Sequence, residues 1–327
     1  MKDRMDLYEE LELKRNSKVI VYVTGDRPGL ETQIANDATD FFVEHLDKIG
    51  VVPKISLILY TIGGNTLAAW NIVNLIRMYC DEFEIIVPSK ARSAGTLMCL
   101  GANRIIMTKQ GTLGPIDPSV NTPLNPQLDG AAPGTKVPVS VEAIKGYLEL
   151  SKNELKITTE GSSTSIFHDL TNNVHPLVLG EVYRAIGQIR MLSEKLLKNQ
   201  VTDSEKSKKI ISFLCSESGS HDYTINRREA AQELGLVVEK PDDELYGIIK
   251  KIFNSISNEL ELLSAFEPNT YLGLNQNKDY HFKRCVIESI EHGTDVFQTE
   301  GKFKRVVFPD LTTGIEDQRL FEGWKHV

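Results

Sequence analysis

The sequence predicts an α/β fold built from parallel βαβ units. Short apolar segments rich in β-branched residues alternate with amphipathic helical segments over residues 18–107. Tight turns containing glycine or proline separate these segments. Such alternation is typical of parallel sheets whose strands are joined by crossover helices. The length of 327 residues leaves room for a further part beyond this sheet.

Hydrophobic periodicity places the elements of the first third of the chain. A buried strand is predicted where a short β-branched run is followed by Gly25-Asp26-Arg27-Pro28. Three more apolar runs follow at comparable intervals, and segments with helical spacing lie between them. The predicted strands are 18–24, 55–60, 83–87 and 104–107, and the predicted helices are 35–49, 66–79 and 93–101.

The remainder of the chain is predicted to be mostly helical, with a change of character near residue 241. The predicted helices are 141–154, 176–198, 204–215, 227–234 and 244–263. Residues 119–136, 156–173 and 268–278 are predicted to be loops or irregular segments. A hairpin around Gly293 and a strand at 303–308 follow. We therefore expect an α/β domain at 1–240 and a small α+β domain at 241–327, which would serve partner recognition or oligomerisation.

Composition excludes several classes of protein. The formal net charge of −8 argues against a nucleic-acid-binding face as the main function. No apolar run reaches the ~18 residues needed to span a bilayer, and the N-terminal residues lack the apolar core of a signal peptide. No metal-ligand spacing stands out. We expect a cytoplasmic protein with no metal, no cofactor and no membrane span.

The most informative pattern is Gly63-Gly64 at the end of one strand and Ser93-Ala94-Gly95 at the start of a helix. Glycine tolerates the backbone angles that turn an N–H toward a developing oxyanion. The N–H of Ala94 would be a second oxyanion donor, and Ser93 would supply a nucleophilic hydroxyl. Strand-end turns and serine helix caps are the ordinary uses of such residues, but the two features together favour an acyl-transfer site.

The order of these elements resembles the Clp protease/crotonase superfamily, which includes the Clp proteolytic subunit and signal peptide peptidase A. Asp222-Tyr223-Thr224-Ile225-Asn226, followed by Leu234-Gly235-Leu236, is similar to the segment that closes that fold. Segments 174–180 and 220–223 are similar to the branch called serine dehydrogenase proteinase. The resemblance covers roughly 15–240. It implies a ββα spiral fold, serine peptidase activity on peptides or unfolded proteins, and a homo-oligomer, with an activating protein partner as an option.

The general base is not fixed by the sequence. The Clp peptidase carries its histidine after the serine helix, but here that stretch is Gly114-Pro115-Ile116-Asp117-Pro118. From the topology of the superfamily, His175 is the first candidate, with Asp222 to orient its ring. His221 is an alternative base. Lys136 is another, because signal peptide peptidases of this superfamily pair serine with lysine.

Three functions therefore compete. A serine peptidase would use Ser93 to form an acyl-enzyme, with Gly64 and Ala94 as the oxyanion hole. A crotonase-type acyl-CoA enzyme uses the same oxyanion architecture, but the Ser-x-Gly helix disfavours it. A non-catalytic or partner-activated oligomeric scaffold is the third, supported by the histidine missing near Ile116.

Overall fold

A computed structural model of the chain describes residues 2–116, 119–128, 130, 134–217, 220, 222–307 and 312–327. The described residues belong to two compact units. The first unit comprises Met1–Leu113 and Ile225–Val327, and the second comprises Gly114–Thr224.

Helices and strands alternate from the N-terminus as the sequence predicts. The helices are α1 (Lys2–Arg15), α2 (Ala38–Ile49), α3 (Thr66–Arg77), α4 (Ala94–Leu100), α5 (Val141–Glu149), α6 (Glu160–Asn173), α7 (Pro176–Leu197), α8 (Ser204–Ser212), α9 (Arg227–Gln232), α10 (Asp243–Glu259) and α11 (Pro268–Leu272). The strands are β1 (Lys18–Thr24), β2 (Val52–Tyr60), β3 (Cys80–Val87), β4 (Lys90–Ala91), β5 (Arg104–Met107), β6 (Thr112–Leu113), β7 (Ser119–Val120), β8 (Val139–Ser140), β9 (Ile225–Asn226), β10 (Val238–Glu239), β11 (Asn277–Ser289), β12 (Gly293–Val307) and β13 (Thr313–His326). Two π-helical turns, Leu150–Glu154 and Phe213–Glu217, extend α5 and α8.

One sheet organises the first unit. Within the described residues its strand order is β10-β5-β3-β2-β1-β11-β12-β13. The five strands from β10 to β1 are parallel, whereas β11, β12 and β13 form an antiparallel meander on the edge of β1. Because parallel neighbours require crossover connections, helices lie between β1, β2 and β3 in the chain. Small strands β4, β6 and β9 form a second sheet in the same unit.

Both faces of the sheet are covered, which explains the continuous apolar runs of its strands. Val21 of β1 belongs to a buried cluster with Leu11 of α1 and Ile252 of α10. Neighbouring side chains of a strand point to opposite faces. Accordingly, Tyr22 makes an edge-to-face contact with Phe42 of α2, with ring centroids 5.3 Å apart. α1 and α10 thus cover one face, and α2 covers the other.

A buried ion-pair network fixes the end of α1 to the sheet. Arg15 donates two hydrogen bonds to Glu84 of β3, at 2.9 and 2.7 Å, and two to Glu239 of β10, at 2.6 and 3.1 Å. Glu84 is fully buried, and it also accepts from Lys54 and from the Ser56 hydroxyl. Burial opposes ionisation of Glu84, but the bonds from Arg15 and Lys54 outweigh it and lower the pKa of this carboxyl group. The carboxylate is therefore buried, charged and dependent on its partners.

The second unit is smaller and mostly helical. β7 pairs antiparallel with β8 through Ser119↔Ser140 and Val120↔Val139. Val120 and Val139 join Val178 and Val182 of α7 in a small core.

In the part of the chain that the structure describes, every helix is too short or too polar to cross a lipid bilayer.

The structure corrects three details of the sequence-based description. Residues 156–173 were expected to be irregular, but α6 occupies most of them, capped by Thr159, whose hydroxyl accepts the Ser162 N–H at 3.3 Å. Its Ser/Thr/Gly-rich sequence has low helix propensity, and Leu170 is its one buried residue. Residues 268–278 were expected to be a loop, but they hold α11 and the start of β11. The predicted strand at 303–308 is the end of β12, and the third strand of the meander is β13.

The boundaries of the two compact units differ from the division expected at residue 240. β11 pairs with β1 from Ile20↔Ser289 to Thr24↔Cys285, so residues 277–326 extend the main sheet. Strand patterns show that a segment is extended but not which strand it pairs with. The role expected for 241–327 in partner recognition or oligomerisation stays a prediction.

Replacing Arg15 with alanine should lower the free energy of unfolding by about 3 kcal/mol, because Glu84 would keep its buried charge with fewer partners. Lys14→Ala is the matched control: Lys14 is the neighbouring residue on α1 and pairs with Asp242 and Glu244 at the surface. Urea unfolding of both variants at neutral pH measures the difference. Equal stabilities for the two variants would contradict the importance of this network.

Candidate active site

The chain after β2 makes a turn that requires glycine. Gly63 and Gly64 have φ angles of +116° and +139°. Residues with a Cβ atom rarely adopt such values. The turn is fixed by two backbone bonds: Ile34 N donates to Gly63 O, and Asn65 N donates to Ile34 O, both at 2.8 Å. A Cβ on Gly64 would lie 2.3 Å from the Ile34 carbonyl oxygen. The backbone can occupy this position only without a side chain.

Ser93 lies between β4 and α4 in a strained conformation. Its φ of 49° and ψ of −114° are far from helical values, although Ala94 begins the helix directly after it. Such a backbone costs about 1–3 kcal/mol and persists only where the surroundings enforce it. The Ser93 side chain caps no N–H of α4. A serine that served as an ordinary helix cap would use its hydroxyl in that way, so the hydroxyl here is available for another role.

Close packing holds the two loops against each other. Thr61 N donates to Lys90 O and Arg92 N donates to Thr61 O, both at 3.1 Å. Gly95 allows α4 to approach, because a Cβ there would lie 2.3 Å from Thr61 Cγ2. A Cβ on Gly63 would lie 2.7 Å from Ser93 Cβ and 3.3 Å from Ser93 Oγ. The serine hydroxyl therefore lies beside the glycine turn.

Two backbone N–H groups in the same two loops have no hydrogen-bond acceptor. Within the described residues, neither Gly64 N nor Ala94 N donates to a protein atom. Ala94 is the first residue of α4, where N–H groups have no partner inside the helix. Gly64 N is freed because its neighbour Asn65 makes the bond to Ile34. A hydroxyl beside two unpaired N–H groups can attack a carbonyl while the N–H groups stabilise the oxyanion.

Polar side chains near the loop that precedes Ser93 form hydrogen bonds and an ion pair with one another. The Tyr60 hydroxyl donates to Asp26 at 2.7 Å, and the Lys90 ammonium forms an ion pair with the same carboxylate. Burial and the Asp26 carboxylate raise the pKa of Tyr60, which keeps the phenol neutral. Lys90 Nζ also lies 5.4 Å from the centre of the Tyr60 ring. This cluster orients β4, and its lysine is occupied by an ion pair.

His175, expected to be the base, lies in the second unit as the N-cap of α7. Its Nδ1 accepts the Leu177 N–H at 3.2 Å, and its side chain is exposed. When Nδ1 accepts, the neutral ring carries its proton on Nε2 and has no second acceptor. His175 would have to release this cap to take a proton from a serine. Its role as a base stays a prediction.

The other predicted partners also lie in the second unit or outside the described residues. Asp222 is exposed in a turn, where its N–H donates to the Ser220 hydroxyl at 3.2 Å. Asn226, rather than Asp222, caps α9. Lys136 is half-exposed and bridges to Gln127 through the backbone. His221 lies outside the described residues, as do Asp117 and Pro118.

Two residues that shape this site were not predicted from the sequence. Ile34 anchors the glycine turn through its backbone, and a backbone contact leaves no signal in the residue type. Thr61 directly follows the predicted strand 55–60, and its hydroxyl accepts from Gly63 N at 3.0 Å and from the Thr24 hydroxyl at 2.8 Å. A threonine two residues before a glycine pair was the available signal.

Gly64→Ala should lower the free energy of unfolding by about 1–3 kcal/mol, because the new Cβ would meet the Ile34 backbone at a positive φ. Gly247→Ala is the control: it lies within α10 with open space around its Cα. Alanine there should raise the free energy by about 0.5–1 kcal/mol. Denaturant unfolding compares the two variants. Equal effects would contradict the steric account of the turn.

Comparison with known proteins identifies a family and relatives that resemble this chain. A family profile described as ClpP-like SDH-type serine proteinase matches residues 1–129, which include the glycine turn and Ser93. An uncharacterised protein of Methanocaldococcus jannaschii, MJ0137, is 30% identical over 258 residues, covering 76% of this chain and 77% of the relative. A second protein of that organism, MJ1495, is 28% identical over 243 residues, covering 72% and 71%.

Solved structures show likeness at lower identity. A mutant of the 1510-N membrane-bound stomatin-specific protease is 19% identical with a TM-score of 0.37, covering 70% of this chain and 83% of its own. A mutant of ClpP1 from Listeria monocytogenes is 13% identical with a TM-score of 0.38, covering 72% and 99%. The family profile and the first relative establish the family. The chain belongs to the ClpP-like SDH-type serine proteinases, and its α/β fold is of the Clp type.

Proposed function

We propose that the protein is a serine endopeptidase that cleaves peptides or unfolded proteins through an acyl-enzyme on Ser93. The observation that carries this proposal is the Ser93 hydroxyl, which caps nothing and lies beside the unpaired N–H groups of Gly64 and Ala94. Membership of a serine proteinase family whose profile spans these residues supports it.

The reaction follows from this geometry. Ser93 Oγ attacks the peptide carbonyl carbon, and its proton passes to a general base. The carbonyl oxygen becomes an oxyanion that accepts hydrogen bonds from Gly64 N and Ala94 N. The C–N bond then breaks, and the leaving amine takes the proton from the base. Water attacks the acyl-enzyme with help from the same base, releasing the carboxylic acid product and restoring the hydroxyl.

The reaction requires a general base within hydrogen-bond reach of Ser93 Oγ. His175 with Asp222 is the first choice, and Lys136 or His221 are the alternatives. The capping bond from Leu177 to His175 is local and exposed, so its loss would cost about 1 kcal/mol. A homo-oligomer that restricts access to unfolded chains, with or without an activating protein partner, completes the proposal.

Ser93→Ala should abolish hydrolysis of an unfolded substrate such as casein, by about 10³-fold or more, with the fold intact. The same change should abolish labelling by a fluorophosphonate, which reacts with an activated serine and releases fluoride. Ser89→Ala is the matched control, since Ser89 precedes the same loop and its carbonyl accepts from Thr112 N. Circular dichroism checks the fold of both variants.

Cleavage retained in Ser93→Ala would overturn the assignment of the nucleophile. Binding of an acyl-CoA by wild-type protein that fluorophosphonate does not label would favour the crotonase-type alternative. Neither labelling nor hydrolysis, alone or with added partner proteins, would favour a non-catalytic scaffold.

Chemical rescue distinguishes the candidate bases. His175→Ala should lose hydrolysis and regain part of it when imidazole is added, because free imidazole can accept the serine proton in place of the missing ring. Lys136→Ala should keep its activity, or, if lysine is the base, lose it and regain part with methylamine. Rates of casein cleavage with and without the added amine measure this. Full activity in both variants would move the base to another residue.

A further inference from the structure

Three histidines and one aspartate from distant parts of the chain meet in the first unit, outside the candidate active site. His45 lies in α2, His292 and Asp295 lie at the β11–β12 turn and the start of β12, and His326 ends β13. Ligand atoms of His45, His292 and Asp295 all lie within 4.8 Å of one another. The rings of His45 and His292, and those of His292 and His326, have centroids 4.5 and 4.7 Å apart.

All three imidazoles converge on a single carboxylate. His45 Nε2 and His292 Nε2 lie 3.1 and 3.2 Å from Asp295 Oδ2, and His326 Nδ1 lies 3.2 Å from Asp295 Oδ1. Tetrahedral Zn²⁺ with bonds of about 2.0–2.1 Å holds its ligand atoms roughly 3.3–3.4 Å apart. The separations to Asp295 are therefore close to those in a metal site, so small side-chain rotations would admit an ion.

A further contact orients the most deeply buried ligand. His45 is fully buried, and its Nδ1 lies 2.7 Å from the Ser289 hydroxyl oxygen. Metal-binding histidines usually donate their second ring N–H to such an oxygen, which fixes both tautomer and ring orientation. In the metal-free chain Nε2 donates to Asp295. When a metal ion binds, Nε2 loses its proton and coordinates the ion. Nδ1 then carries the ring proton and donates it to the Ser289 hydroxyl oxygen.

Burial and charge suit a cation. The side chains of Asp295 and His292 are 2% and 15% exposed, and that of His326 is 56% exposed, so the cluster opens to solvent on the His326 side. One carboxylate and three imidazoles make up a ligand set that divalent transition-metal ions bind.

We propose that His45, His292, Asp295 and His326 bind one divalent transition-metal ion, for which Zn²⁺ suits the nitrogen-rich ligand set. The site joins α2 to β12 and β13 of the meander. Ser289 pairs with Ile20 near the start of β1, whereas the glycine turn follows the end of β2. The ion would therefore serve the stability of this sheet edge. The proposal stands independently of Ser93.

Metal binding to the full-length protein tests this site. After dialysis against a chelator, the chain should bind one equivalent of Zn²⁺ by calorimetry and show a higher melting temperature. Co²⁺ in its place should give the intense visible absorption of a tetrahedral ion. Asp295→Asn and His292→Ala should lose binding, and Ser289→Ala should weaken it about 10- to 100-fold.

Two further variants keep the test decisive if a buried change prevents folding. His326→Ala, at the exposed end of the site, should fold normally and bind Zn²⁺ at least about tenfold more weakly. His168→Ala, on the exposed surface of α6, is the control and should bind as wild type does. Absence of Zn²⁺ and Co²⁺ binding, or unchanged binding in folded His292→Ala or His326→Ala, would overturn the proposal and leave a hydrogen-bonded cluster only.

Discussion

The close approach of two loops, made possible by three glycines, is the constraint on which the candidate active site depends. Gly63 and Gly64 have backbone angles that side chains disfavour, and Gly95 lets α4 come against Thr61. With any larger residue the loop after β2 and the loop before α4 would separate. The contact brings the Ser93 hydroxyl beside the glycine turn, where Gly64 N and Ala94 N have no acceptor within the described residues. The strained backbone of Ser93 is tolerated because backbone bonds from Thr61 fix the strand that precedes it.

The parallel sheet provides the rigid support that this contact needs. β2 and β3 end at the same edge, and the chain after each of them contributes one half of the site. α1 is fixed to the sheet by the ion pair between Arg15 and the buried carboxylate of Glu84. Burying these charges costs desolvation energy, which only complete pairing offsets. β11, the first strand of the antiparallel meander, pairs with the side of β1 that does not pair with β2, so β1 is not an edge strand. The proposed nucleophile and oxyanion donors belong to the first unit, and the candidate bases His175 and Lys136 belong to the second.

Much of this arrangement could be predicted from the sequence because it rests on local signals. β1 and β5 follow from short apolar runs, and the glycine pair and Ser-Ala-Gly from residue types that few other contexts require. Long-range features were not predictable. Ile34 acts through its backbone, and the sequence of β11 gives no sign of its pairing with β1. The four residues of the Asp295 cluster are separated by up to 281 positions, so no metal-ligand spacing could reveal them. α6 was missed because its polar sequence has weak helix propensity. His175 was chosen from topology, whereas its capping bond to Leu177 depends on local geometry.

The central claim is that Ser93, Gly64 and Ala94 form one acyl-transfer site, and a crystal structure of the protein after reaction with a fluorophosphonate tests it most directly. The phosphonyl group mimics the tetrahedral intermediate, with one oxygen at the position of the oxyanion. The account predicts a covalent bond from Ser93 Oγ to phosphorus, and that oxygen about 2.7–3.1 Å from both Gly64 N and Ala94 N. A bond to another residue, or a phosphonyl oxygen directed away from these two N–H groups, would contradict it.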